Sequence, residues 1–135
     1  MRRHTQLQPL SRSHHQTLRF ARQLKQGQVN LVDFHAQKMD LSLHFAEEEA
    51  TFSSLTHELS DTHPIMAQLS RMIHEHIVIM AMISCIERIT PLNNPERLAA
   101  LGQLLSQHIA FEEGELFPNL EQCCLPNQTF CEHMS

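Results

Sequence analysis

Apolar residues recur at intervals of three and four in four long stretches of this chain, the pattern of helices that each bury one face. The first stripe is Leu10, His14, Thr17, Leu18, Ala21 and Leu24; it begins after Pro9 and stops at Gly27, a residue suited to a helix C-terminus. The second runs through Leu31, Phe34, Leu41, His44, Glu48, Phe52, Leu55 and Leu59, with an irregular opening turn expected from Asn30 to Asp33. It ends before His63-Pro64, where Asp61 or Thr62 is suited to cap the next helix and Pro64 to occupy its first turn.

The third stripe is the most apolar: Ile65, Leu69, Met72, Ile73, His76, Ile79, Met80, Ile83, Ile86 and Ile89, closed by Pro91. Asn94-Pro95 then reads as a cap followed by Pro at the first helical position. The fourth stripe follows through Leu98, Leu101, Leu104, Leu105, His108, Glu112 and Leu116, and Pro118 predicts a kink or an end close by. Four helices joined by short polar turns predict an all-α, up-down-up-down four-helix bundle. Residues 1–8 are expected to form a flexible arm, 9–121 the bundle, and 122–135 an irregular tail holding Cys123, Cys124 and Cys131.

Composition narrows this picture. A length of 135 residues suits one domain with one core, and three Gly among 41% hydrophobic residues argue against both a many-stranded β protein and a disordered chain. The net charge is −5, and Arg2, Arg3, Arg12, Arg19 and Arg22 are too interrupted for a nucleic-acid footprint, so no nucleic-acid partner is expected. No apolar run approaches the ~20 residues that span a bilayer. The polar start, Met1-Arg2-Arg3-His4, is unlike a signal peptide, so a cytoplasmic location with no membrane partner is expected. The four cysteines are then expected to be reduced, and no two are spaced as a C-x-x-C pair.

The candidate chemistry lies in the histidines. His44 and Glu48, and again His108 and Glu112, stand four residues apart and so lie on one helical face. With eleven His in the chain, chance supplies about one such pair, and spacing alone is weak. Placement is stronger, because each apolar stripe carries one inward histidine: His14, His44, His76 and His108. Burying four imidazoles and two carboxylates without partners would cost several kcal/mol per group, which points to a shared metal site at the bundle centre. Imidazole and carboxylate without thiolate suit iron, manganese or zinc, and two ions sharing carboxylates is a known bundle arrangement. Six ligands cannot fill two octahedral shells, so positions remain where O₂, NO or peroxide could bind.

These segments, Leu10-Ser-Arg-Ser-His-His15, His44-Phe-Ala-Glu-Glu-Glu49, Ile73-His-Glu-His76 and the stretch from His108 to Pro118, resemble the hemerythrin-like proteins with the HHE cation-binding domain. The likeness covers about Leu10 to Leu120. It implies a four-helix bundle with two non-haem iron ions, bridged by oxygen and carboxylates. The implied ligands are one histidine from the first helix, His44 and Glu48, His76, and His108 with Glu112. His14, with Leu10, Leu18 and Leu24 on its face, is preferred over His15, whose face carries Arg19 and Arg22.

Two departures from the oxygen carriers bear on function. Those proteins have a second histidine one turn before the third-helix ligand, where this chain has Met72. They also use an Asp five residues after the fourth-helix histidine; here Glu113 stands at five and Glu112 at four, and Glu112 repeats the spacing of the second helix. The set therefore resembles the iron-centre repair and nitric-oxide-responsive members, with sensing or stress protection as the expected role. Iron donation and a structural zinc bundle are the alternatives.

Other features carry less. Met66, Met72, Met80 and Met82 are expected to fill the core rather than bind soft metals or conduct gases. Cys123, Cys124, Cys131 and His133 are neighbours at a chain end, and a soft-metal or oxidant-sensing role is the lesser reading. Glu47, Glu49, Glu113 and Glu115 are expected on solvated helix sides, with room for one to support a ligand.

Overall fold

The computed structural model describes residues 3–89 and 94–125. Its helices are α1 (Gln8–Lys25), α2 (Leu31–Thr56), α3 (Ile65–Ile89), α4 (Pro95–Phe111) and α5 (Phe117–Cys124), and a π-turn at Glu112–Leu116 joins the last two into one rod. Pairings such as Lys38 with Glu87, Arg71 with Phe111 and Ser11 with Glu113 run in opposite chain directions across adjacent helices. The result is the antiparallel four-helix bundle, with no strand among the described residues. Pro91, Pro126, Cys131 and His133 lie outside the described residues.

The helix ends follow local chemistry. Gly27 takes φ +66°, the Gly27 N–H donates to Leu24 O at 3.2 Å and the Gln28 N–H to Gln23 O at 2.9 Å, which closes α1 in a Schellman turn. Asn30 Oδ1 accepts from the Asp33 N–H at 2.8 Å, so α2 opens regularly and the irregular first turn expected there is absent. The Ile65 N–H donates to His63 Nδ1 at 3.1 Å, so the side chain bonded to the start of α3 is His63 rather than Asp61 or Thr62. Asn94 caps α4 through the Arg97 N–H, with Pro95 in the first turn.

Pro118 does not end the fourth helix. The Phe117 N–H reaches back five residues to Glu112 O, and the widened turn seats Pro118 in the first turn of α5, where its missing donor is not needed. The helix then continues to Cys124, through the start of the expected irregular tail. There the partly buried Cys123 and Cys124 sulfurs lie 3.0 Å apart.

The core is divided in two. One apolar cluster includes Phe20, Leu24, Phe34, Leu41, Ile79, Ile83, Leu101 and Leu105. The other includes Leu10, Phe52, Leu69, Met72, Phe111, Leu116, Phe117 and Leu120. On each of α1 to α4 a histidine falls between the two, so a polar layer crosses the middle of the bundle. Met72 is buried within the second cluster, and Met66, Met80 and Met82 pack partly buried against the core. Leu31 and Ile73, read as inward, are exposed; Leu31 is the first residue of α2, and Ile73 stands one residue, about 100°, from the inward Met72.

Residues 3–7 are not loose. Leu7 is fully buried, and Arg3 pairs with Glu113 at 3.0 Å and Glu121 at 2.9 Å. By length and mean hydropathy alone, Ile65–Arg88 of α3 could cross a membrane, which counting uninterrupted apolar runs did not register. Arg71, Glu75 and His76 interrupt it, and each is paired within the bundle.

Candidate metal centre

Each of α1 to α4 turns one imidazole into the polar layer, and two turns add a carboxylate. His14 (α1), His44 and Glu48 (α2), His76 (α3), His108 (α4) and Glu112 at the start of the π-turn are all buried, the two glutamates completely. Their donor atoms form two overlapping groups, His14–His44–Glu48–Glu112 and Glu48–His76–His108–Glu112, with all atoms of a group within 4.8 Å of one another.

The glutamates span the groups. Glu48 Oε2 lies 3.3 Å from His14 Nε2 and 3.2 Å from His44 Nε2, while its Oε1 lies 3.1 Å from His76 Nε2. Glu112 Oε1 lies 2.9 Å from His14 Nε2, and its Oε2 lies 3.4 Å from His76 Nε2 and 3.1 Å from His108 Nε2. Most of these contacts lack hydrogen-bond angles. Nε2 of His44, His76 and His108, Glu48 Oε1 and both Glu112 oxygens are buried without a hydrogen-bond partner. So many orphaned lone pairs facing one another are costly in an apolar interior unless a cation sits among them, and the donor set therefore fits metal binding.

An outer set of carboxylates orients the imidazoles. His14 Nδ1 meets Glu113 Oε2 at 2.6 Å, His76 Nδ1 meets Glu49 Oε2 at 2.8 Å, and His108 Nδ1 meets Glu75 Oε1 at 2.7 Å. Holding the proton on Nδ1 leaves each Nε2 lone pair facing inward, the usual arrangement of a metal-bound histidine. Two of these braces are themselves fixed, Glu113 by Ser11 and Arg3, and Glu75 by Arg71. Phe45 stacks on His76 with ring centroids 3.8 Å apart, and Phe117 on His14 at 5.5 Å, which restricts ring rotation.

The sequence-derived candidates therefore meet in one place. His15, the alternative to His14, is exposed beside Arg12 and Arg19. Glu112 lies inside and Glu113 outside, bracing His14. Glu75 escaped the sequence reading, although its position beside His76 was a signal: each brace is the immediate neighbour of an inward ligand on the adjacent helix.

Without metal, the same groups pair as ions. Burial opposes charge on His14, but the carboxylates of Glu112, Glu113 and Glu48 outweigh it and push the imidazole up to about 11. Burial likewise opposes charge on His76, which Glu112, Glu48 and Glu49 push up to about 10, and His108 is raised in the same way. Burial would raise Glu113, but His14 and Ser11 hold it down at about 2.

The signs follow. Stability from the raised histidines is complete below their ordinary value of 6.5 and is lost as pH rises through about 10 to 11. Stability from Glu113 is complete above 4.5 and is lost as pH falls through about 2. Chelator-treated protein is therefore expected to be more stable at pH 6 than at pH 9, by at least about 2 kcal/mol, since one unit of proton coupling is worth about 1.4 kcal/mol. Urea unfolding followed by circular dichroism checks this; equal midpoints would show that the imidazoles are not held protonated.

Among known proteins, no curated protein and no solved structure matches the chain. A family model, the hemerythrin HHE cation-binding domain, matches residues 5–120, which include all six buried donors. The chain belongs to the hemerythrin HHE cation-binding family.

Proposed function

We propose that this protein holds a non-haem di-iron centre that binds or reacts with O₂, NO or peroxide, in sensing or stress protection. The observation that carries this reading is the sharing of Glu48 and Glu112 between two four-donor groups, the arrangement of di-iron carboxylate bundles. Four donors would close a tetrahedral zinc site, but they leave an octahedral iron with open positions. Iron bound there would supply redox chemistry and a place for a small ligand.

The chain's own residues hold and shield that place. The two apolar clusters above and below the polar layer limit water and favour a small, uncharged ligand over a bulky polar one. Glu49, Glu75 and Glu113 are each engaged with an imidazole, which favours ligand binding over substrate turnover by general base catalysis. Iron donation is the second reading, favoured by one asymmetry: His44 lacks the carboxylate brace of the other three histidines.

Protein purified from iron-replete cells is expected to contain about two irons per chain and to show charge-transfer absorption in the near ultraviolet and visible that changes on adding O₂, NO or peroxide. The chain has no Trp and no Tyr, so the near-ultraviolet bands stand clear of indole and phenol. Zinc in place of iron, with no such bands, would overturn the reading.

A further inference from the structure

Three of the four imidazoles are braced by a carboxylate from the neighbouring helix: α2 supplies Glu49 to His76, α3 supplies Glu75 to His108, and the π-turn supplies Glu113 to His14. Continuing this pattern, α1 would supply His44 from beside His14, where the chain has Ser13 and His15. His44 Nδ1 is instead buried with no hydrogen-bond partner, in a side chain only 7% exposed.

A cavity of about 190 Å³ between α1 and α2 lies against that unbraced ring, lined among others by Ser13, Gln16, Thr17, Asp40, His44 and Glu47. Its outer part is acidic and oxygen-rich. Asp40 and Glu47 are exposed, and Gln16 Nε2 donates to Asp40 Oδ2 at 2.9 Å, tying α1 to α2 at the surface. The cavity between α2 and α3 differs: it reaches the brace Glu49 and Met72 but is lined by none of the six inner donors.

We propose that the α1–α2 cavity is the port through which hydrated divalent cations reach and leave the centre, and that His44 is the ligand that swings aside to admit them. The inference rests on the metal-binding reading above. Asp40 and Glu47 attract the cation, and the oxygens of Ser13, Gln16 and Thr17 replace part of its water as it moves inward. His44 can turn without breaking an outer bond, whereas His14, His76 and His108 would each have to break a charge-assisted one.

The test uses the full chain, stripped by chelator and reloaded with Fe²⁺ under anaerobic conditions, with uptake and release timed by competition with a coloured ferrous chelator. The double variant Asp40→Asn, Glu47→Gln is expected to take up Fe²⁺ about tenfold more slowly while reaching the same final content. Ser13→Glu, which offers His44 the missing brace, is expected to slow release by about tenfold or more. Asp61→Asn, at the α2–α3 cavity, should leave both rates unchanged. Wild-type iron content with unaltered rates in the port variants, or equal slowing by Asp61→Asn, overturns the port and leaves the metal centre standing. A wild-type chain that takes up no metal overturns both.

Discussion

Glu112→Gln is expected to remove metal from both positions of the proposed centre at once, whereas His108→Ala should remove it from one. Glu112 Oε1 faces His14 while Oε2 faces His76 and His108, so the one carboxylate belongs to both donor groups. The amide keeps the shape of the side chain but loses one of only two inner negative charges and one of its two acceptor oxygens. In a buried layer closed off by apolar clusters on both sides, that charge would be needed to offset the two cations of the proposed centre, and loss of a shared ligand would propagate to both. Metal content should therefore fall from about two per chain to nearly none in Glu112→Gln, with helicity kept. His108→Ala leaves the group of His14, His44, Glu48 and Glu112 intact, and about one ion should remain. Metal analysis beside far-ultraviolet circular dichroism distinguishes the two. Full occupancy in Glu112→Gln would mean that the carboxylate does not bridge.

Gly102→Val should be the most damaging small change away from the centre, and its sign runs against helix propensity. On an open helical surface, replacing Gly by a residue with a side chain usually relieves the entropic cost of glycine, worth roughly 0.5–1 kcal/mol for Ala. Here a Cβ at position 102 would meet the Ala21 carbonyl oxygen at 2.6 Å, Lys25 Cγ at 2.9 Å and Leu24 Cβ at 3.3 Å. The first of these is backbone and cannot rotate away. The α1 and α4 rods must separate, and α1 carries both His14 and the Ser11 bond to Glu113. A loss of about 3 kcal/mol is expected for Val, at the upper end for overpacking, with a smaller loss for Ala. Urea titrations of chelator-treated protein measure it; a stabilised Gly102→Ala would show that the two helices do not approach so closely.

Much of the frame and of the inner site was legible because both depend on which way a residue faces. Periodicity separates most inward from outward positions, Leu31 and Ile73 excepted, and His14, His44, His76 and His108 stand on apolar stripes where a solvated histidine has no reason to be. What stayed hidden depends on relations between helices. Glu75 sits at an ordinary polar flank of α3, and only the approach of α4 gives it His108 as a partner. Glu49 and Glu113 stood among solvated candidates for the same reason. Arg3 in the supposed arm looks like any terminal charge until Glu113 and Glu121 are brought beside it. Phe20 and Phe45 fall beside the stripes, but both are buried because the inward face is wider than a single line of residues. Pro118 correctly marked an interruption, but not whether the helix would stop or widen.

The π-turn gives the segment from 112 to 116 an unusual relation to changes in chain length. One residue more than an α-turn is wound into it, so everything from Phe117 onward is offset by about 100° relative to an uninterrupted α-helix. Deleting any one residue from Glu113 to Glu115 would let the local hydrogen bonding become regular. The same deletion would rotate Phe117 and Leu120 off the core and take Phe117 from its stack on His14. A shorter and locally better helix would therefore make a poorer bundle, and the extra residue behaves as a phase adjustment between the ligand-bearing half of the rod and the half that closes the core beneath it.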